Sequence, residues 1–293
     1  MVARLLASLT GTLLLAACAS RPEITRGSEL PADLVPAPQL PCPGERLEYG
    51  VELAGLPIGA AALSTTLAAD GWLFALEGGT NAIVDWFCAV RGAATTRQNL
   101  DGRARSFELW VDEDGEQSRR SLAYDEVPTL WYRPADQTSW VAELTQYRRP
   151  SDPLSLLQQL RALSPAADAR DFEVAMTLRS FCYRVRWLGR ADLDVGAGRF
   201  EQALMWRVEV RPYEELGEQA TAGPIVGFYE VAISADPRRL PLRVTREFGF
   251  GQVALELRRA AIDERVALAT TAPAEGPADG TLPPLATALL ETR

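Results

Sequence analysis

The chain of 293 residues has no histidine and no lysine, so all 30 of its basic residues are arginine. Without histidine it lacks the usual general base, the commonest metal ligand and the side chain that titrates near neutrality. Ser-His-Asp and Cys-His catalysis are thereby excluded. The 39 acidic residues outnumber the arginines and give a formal net charge of -9. Such a chain has no general basic face for nucleic acid. Cysteine is scarce: Cys18, Cys42, Cys88 and Cys182 contain no Cys-x-x-Cys spacing, so neither a zinc site nor a dithiol motif has support. What remains is 47% apolar and 24% charged, a composition that excludes a wholly disordered, collagen-like or low-complexity chain.

Residues 1–17 read as a signal peptide. Arg4 supplies the positive start, and Leu5 to Ala17 form an apolar stretch too short to span a bilayer. The stretch ends in Leu15-Ala16-Ala17-Cys18, the form of a bacterial lipobox: a long apolar residue, two small ones, then cysteine. In that class the thiol takes a diacylglyceryl group and cleavage falls just before it, so Cys18 is the expected lipid attachment. Ala19 and Ser20 follow without an Asp, the pattern of passage to an outer membrane. Two or three acyl chains hold a protein stably on a bilayer. An ordinary secretory signal that happens to contain cysteine is the alternative. Residues 18–45 carry six prolines between Pro22 and Pro43 and no hydrophobic period, as expected of an extended tether. Residues 263–293 are rich in Ala, Thr, Pro and Gly and read as a flexible tail.

With Cys18 acylated, three cysteines are left in an oxidising compartment, enough for one disulfide and one free thiol. Three pairings of Cys42, Cys88 and Cys182 are open to it and sequence does not choose among them; Cys88–Cys182 is slightly favoured, because both lie inside the folded region, and three unpaired thiols is the alternative.

Residues 46–262 follow a period of two. Leu47, Tyr49, Val51 and Leu53 alternate with Glu48, Gly50 and Glu52, and Phe181, Tyr183, Val185 and Trp187 alternate with Cys182, Arg184 and Arg186. The runs ending at Val210 and Leu257 behave alike. One face apolar and one face charged is the mark of a half-buried antiparallel strand. Asp70-Gly71, Asp101-Gly102, Asp114-Gly115 and Gly249-Phe250-Gly251 punctuate the runs as turns. Two segments depart from the period. Asp152-Pro153 caps and starts a helix with Leu156, Leu157, Leu160 and Leu163 on one stripe. Asn81 to Val90 reads as a second short helix with Ile83, Phe87 and Val90 on one side, or else as a buried strand. About a dozen strands with so little helix predict a mainly β, single-domain fold. The expected form is a highly curved antiparallel sheet or half-open β-barrel with one or two short helices packed on the concave face.

Three segments resemble a family of bacterial envelope proteins grouped as domain of unknown function 3108. They are Leu47-Glu48-Tyr49-Gly50-Val51 with Ile58-Gly59-Ala60-Ala61, the Asp152-Pro153-Leu154-Ser155 helix through Leu160-Arg161, and Asp236 to Val244 followed by Gly251 to Leu257. The resemblance spans roughly Arg46 to Ile262. The segment before Gly196-Ala197-Gly198-Arg199-Phe200 is atypical, and Tyr213 to Gly223 is an acidic insertion. The resemblance implies fold and envelope location and brings no catalytic residue or ligand.

Carboxylates are the remaining acid-base equipment. Asp112-Glu113-Asp114 and Glu214-Glu215 are the densest clusters, but each sits beside a glycine, where solvated turns are expected. Calcium lacks its spaced ligands in Asp112-Glu113-Asp114-Gly115. Arg184, Arg186, Arg207, Arg211 and Arg243 occupy polar strand faces, while Arg246 has the parity of Leu242 and Val244. These arginines can clamp an anionic group, or pair with Glu209, Glu247 and Glu256 on an outer face; the second reading is the stronger. Aromatics such as Trp72, Phe74, Trp86, Phe87, Trp187 and Trp206 suffice to fill a core or to line an apolar cleft. The expectation is therefore a lipid-anchored periplasmic protein of the outer membrane, non-enzymatic and without metal or cofactor. It would bind an apolar ligand such as an acyl chain. A scaffold for another envelope protein is the first alternative, and a carboxylate-only hydrolase the second.

Overall fold

The computed structural model describes residues 42–86, 88–133, 139–143, 151–165, 169–175, 180–216, 219–249 and 251–262. The signal peptide, Cys18, most of the tether and the tail lie outside them. Fifteen strands follow in order: β1 (Glu45–Leu53), β2 (Leu56–Ala68), β3 (Gly71–Thr80), β4 (Val90–Gln98), β5 (Ala104–Glu113), β6 (Glu116–Ala123), β7 (Thr129–Arg133), β8 (Trp140–Glu143), β9 (Arg170–Ala175), β10 (Ser180–Val195), β11 (Gly198–Leu216), β12 (Gln219–Ala222), β13 (Gly227–Ile233), β14 (Pro241–Phe248) and β15 (Gly251–Ile262). Two short helices interrupt them, α1 (Ala82–Asp85) and α2 (Pro153–Ala162).

The strands make one antiparallel sheet built from two meanders. Strands β1 to β8 run in sequence order, β9 to β15 do the same with β12 a side branch on β11, and β15 pairs with β1 at the join. The terminal strands of the domain thus lie at the middle of the sheet. Its edges are β8 and β9, so the sheet is not closed. Turn chemistry sets the register locally. Ala54-Gly55 and Asp114-Gly115 both adopt positive φ at both positions, the two-residue turn that matches the twist of the flanking strands. Gly196-Ala197 is likewise only the turn of the β10–β11 hairpin, and its tip folds back on β15, where the Ala197 amide donates to the Leu257 carbonyl at 2.9 Å.

One helix forces the sheet to bend. Eight neighbour-to-neighbour steps separate β4 from β10, about 38 Å in a flat sheet at ~4.8 Å per step. Helix α2, ten residues long and therefore about 15 Å in length, touches both. At its start Asp152 accepts from Thr96 of β4, and Ser155 accepts from Gln98 of the same strand. Towards its end Leu156, Leu160 and Leu163 pack with Val185 of β10, Trp206 and Val208 of β11, and Val231 of β13. Only a sheet wrapped around the helix allows this, so the face that α2 covers is the concave one.

The helix is held by polar groups that water cannot reach. Asp152 is its N-cap: Oδ1 accepts from the amides of Leu154 and Ser155 at 2.9 Å each and from the Thr96 hydroxyl at 2.6 Å, while Oδ2 accepts from the Ser155 hydroxyl at 2.6 Å. Burial pushes this carboxyl above its ordinary value despite those four donors. At the last turn the Arg161 guanidinium lies 2.8 Å from Glu45 Oε2, with both side chains 0% exposed. The same guanidinium donates to the carbonyls of Arg239 and Arg238 and to Gln158. It therefore joins the first residue of β1 to the loop between β13 and β14. Glu45 is thus a core residue rather than the end of a tether.

The second expected helix differs. Only Ala82–Asp85 is helical, capped by the Asn81 side chain, and Val90 starts β4. Ile83 is 78% exposed and Trp86 84%, so neither fills the core. The reason is local: the Asn81 side-chain amide donates to the Pro57 carbonyl and its oxygen caps two backbone amides, which holds the short turn on the rim of the sheet. One helix, not two, packs on the concave face.

Removing one member of a buried ion pair leaves the other charge stranded, at a cost of about 3–5 kcal/mol. Arg161→Met is expected to destabilise by that amount in urea denaturation, and Glu45→Gln with Arg161→Met by about 1–3 kcal/mol less than the single change. A double variant no better than the single one would show that the pair is not what secures the helix. For Asp152 the sign follows from its raised value in the fold. The buried carboxylate burdens the fold once it is ionised, and the burden lifts as the pH falls through that raised value. The penalty of Asp152→Asn should therefore be larger near pH 4 than at pH 7; a penalty that grows with pH contradicts the assignment.

Candidate functional site

The register carries one face of the sheet continuously from strand to strand. On β1 this face presents Glu45, Leu47, Tyr49, Val51 and Leu53, and paired positions continue it across the first meander. Burial along it is not uniform. At the α2 end Leu63, Phe74, Phe107, Leu122 and Leu130 are wholly buried, so this half is a filled core. Two residues further along each strand the same face opens. Ala61, Leu76, Leu109 and Tyr132 are half-buried, and beyond them stand Gly59, Gly78, Gly92, Val111 and Ser118, none of them buried. Across the sheet, Leu242 of β14 and Leu257 of β15 are fully buried, while Val244, Arg246, Leu255 and Val253 are not.

The physical cause is twofold. Helix α2 supplies the leucines that cover one half, and it is too short to reach the other. The uncovered half also carries small residues on β2, β3 and β4: a Cβ added at Gly59, Gly78 or Gly92 would meet neighbouring-strand backbone, at 2.8 Å for Gly78 and 3.2 Å for Gly92, so no large side chain rises from this wall. Tyr49 marks the division. It is buried, its hydroxyl donates to the Pro241 carbonyl at 3.1 Å, and burial pushes its phenol well above the ordinary range, with Glu45 adding to the effect and Arg161 opposing it.

The outer face is a lattice of ion pairs. Arg184 makes two hydrogen bonds to Asp171, at 2.7 and 2.6 Å, which hold the Asp171 carboxyl below its ordinary value. Glu209 lies between Arg186 and Arg211, Arg207 meets Glu230, and Arg243 meets Glu256. These arginines are thus engaged with carboxylates on neighbouring strands, as the stronger reading expected. Asp112 and Asp114 serve the turns beside them: Asp112 accepts from the Gly115 amide and Gln117, and Asp114 from the Ala89 amide. The side chains of Glu214 and Glu215 lie outside the description. Among the described residues no group of three His, Cys, Asp or Glu is arranged to hold a metal.

The cysteines correct one expectation. Among the described residues no disulfide joins Cys42, Cys88 or Cys182, so the Cys88–Cys182 pairing is not formed. Cys88 lies just before β4 in the first meander, and Cys182 is on β10 facing Glu173 and Arg211 in the second, eight strand steps away. Both are buried. Cys18 lies outside the described residues.

A family model described as "Protein of unknown function (DUF3108)" matches residues 46–258. The chain belongs to this family. The DUF3108 match begins in β1 and ends in β15, so it takes in the whole two-meander sheet and helix α2. No curated protein matches the chain. Among solved structures, the β-barrel-like protein of domain of unknown function DUF1849 from Brucella abortus superposes with a TM-score of 0.52 at 13% identity, covering 75% of this chain and 97% of that one. A structure titled "putative lipoprotein" from Parabacteroides distasonis superposes with a TM-score of only 0.31 at 10% identity, covering 76% of this chain and 97% of that one. The Brucella likeness supports a β-barrel-like fold and carries no activity.

Burial, together with Asp114 and Glu113, pushes the Cys88 thiol above its ordinary value, and the thiolate is the reactive form. Labelling with iodoacetamide followed by peptide mapping should therefore modify the partly exposed Cys42 well before Cys88, without prior reduction. Recovery of a Cys88–Cys182 crosslinked peptide from the native protein would overturn the absence of that disulfide.

Proposed function

We propose that this protein is a lipid-anchored envelope protein whose DUF3108 domain is a non-enzymatic binding module for an apolar ligand such as an acyl chain. The single observation that carries this is the half-open concave face. One end is packed to the density of a core, and the same apolar surface continues, partly exposed, into a region floored by glycine, alanine and serine. Apolar lining with few polar groups is the common character of sites for small hydrophobic ligands. The lipobox at Leu15 to Cys18 supplies the location: Cys18 would carry the acyl anchor at the periplasmic face of an outer membrane. Among the described residues the carboxylate-only hydrolase is the weaker reading, because Asp152 and Glu45 beside α2 are buried structural partners and Asp112 and Asp114 accept from backbone amides.

Ser118 stands in the open half, opposite Val111 and away from the leucines of α2. A large side chain there should fill the space without disturbing the packed half. Native mass spectrometry of gently purified protein is expected to show a retained lipid-sized mass, and Ser118→Trp should lower binding of a fluorescent fatty acid at least tenfold while shifting the melting temperature by only a few degrees. A clean apo mass in every preparation, with no saturable probe binding, would remove this function and leave the envelope-scaffold reading.

A further inference from the structure

Arg119 and Arg120 are sequence neighbours on β6 with opposite fates. Arg119 points to the outer face and meets Glu108 at 3.0 Å. Arg120 stands opposite Leu109 on one side and Tyr132 on the other, so it belongs to the concave face, and its guanidinium lies 5.0 Å above the Tyr132 ring. Arg246 on β14 repeats the arrangement. It stands between Tyr229 of β13 and Val253 of β15, again on the concave face. Its guanidinium is 4.9 Å from the Tyr229 ring centre and 4.8 Å from that of Phe248, and it donates to the Tyr229 hydroxyl at 2.6 Å. Among the described residues neither arginine has a carboxylate within ion-pairing distance, whereas the outer-face Arg119, Arg184, Arg186, Arg207, Arg211 and Arg243 each have one.

Neither is buried. Arg120 is one position beyond the buried Leu122 on its face, and Arg246 is two beyond the buried Leu242. An arginine on an apolar face without a carboxylate is a standing charge that an anion can satisfy. Aromatic rings hold its plane by cation–π attraction; the Arg120 edge is left for carboxylate or phosphate oxygens, and Arg246 keeps its remaining N–H donors after the one given to Tyr229.

Resting on the binding module described above, we infer that the concave face selects an acyl chain with an anionic head group, Arg120 and Arg246, seven strand steps apart, being the inward cations open to the head and the small-residue floor taking the chain. A neutral chain gains only the apolar contacts. The head group forms charge-assisted hydrogen bonds in a partly desolvated site, where they are stronger than in water.

The test compares laurate, dodecyl phosphate and dodecanol by isothermal titration on the full chain below their aggregation thresholds. The wild type should bind at least one of the two anions tenfold or more tighter than dodecanol, and the tighter of the two names the head group. Arg120→Gln with Arg246→Gln should erase that preference while leaving dodecanol affinity within about twofold; Arg119→Gln is the outer-face control and should keep the preference. If wild type binds all three chains alike, or the double variant retains the preference, head-group selection is wrong and the apolar binding module stands. If none of the three binds, the binding module itself fails, and this inference with it.

Discussion

Everything in this fold depends on a ten-residue helix being pulled into a sheet that would otherwise be too wide to close around it. Fifteen strands in a flat array offer no enclosed core. Burying four leucines can supply roughly 1.5–3 kcal/mol each, but leucines slide. What fixes the helix is the pair of polar anchors at its ends. Asp152 reaches β4 in the first meander, and Arg161 reaches Glu45 at the start of β1 together with two carbonyls of the β13–β14 loop. Each anchor is useless unless the sheet is curved to the right radius, because a buried charge without its partner is costly. The ion pair therefore works as a gauge of register and curvature, over and above any contribution to net stability.

The same anchoring decides where the site can be. A helix fixed at one end of the barrel-like sheet leaves the other end to whatever the strands themselves supply. On β2, β3 and β4 they supply Gly59, Ala61, Gly78 and Gly92, residues too small to meet across the interior. Exposed apolar surface is held open at one end because the opposite end has been packed. Packing and the candidate site are thus separated along the strand direction: Leu122 and Arg120 differ by two residues on one face of β6, and the first is wholly buried while the second is not.

Much of the fold was legible because alternation is a strong signal when one face is dry. The strand runs, the Asp-Gly turns and the Asp152-Pro153 helix start all stand where the pattern put them. The Asn81 to Val90 segment misled because an apolar run of that length has no preferred partner until Asn81 is known to cap a single turn and bond back to β2. Glu45 and Arg161 were invisible as a pair. Their separation in sequence is long, and each sits beside a boundary, one at the end of a proline-rich stretch and one in a last helical turn where a basic residue is ordinary. The Cys88–Cys182 pairing failed for a related reason, since being inside the same domain does not imply being near in a sheet this wide.

The site was half legible. Parity alone placed Arg246 with Leu242 and Val244, and the same arithmetic applied to Ser118, Arg120, Leu122 and Tyr124 would have placed Arg120 on the apolar face. The signal was missed because adjacent arginines read as a solvated pair, and sequence does not say which of two successive residues faces inward until the register with β5 and β7 is set. Once that register is known, the pair separates cleanly. Arg119 completes an ordinary cross-strand ion pair, and Arg120 is left to an aromatic ring and open space. An inward charge satisfied only by a π-face is a local violation of the pattern that built the rest of the sheet. Such violations concentrate where a protein binds something, which is why the proposed head-group selection rests on the two inward arginines more than on the apolar lining around them.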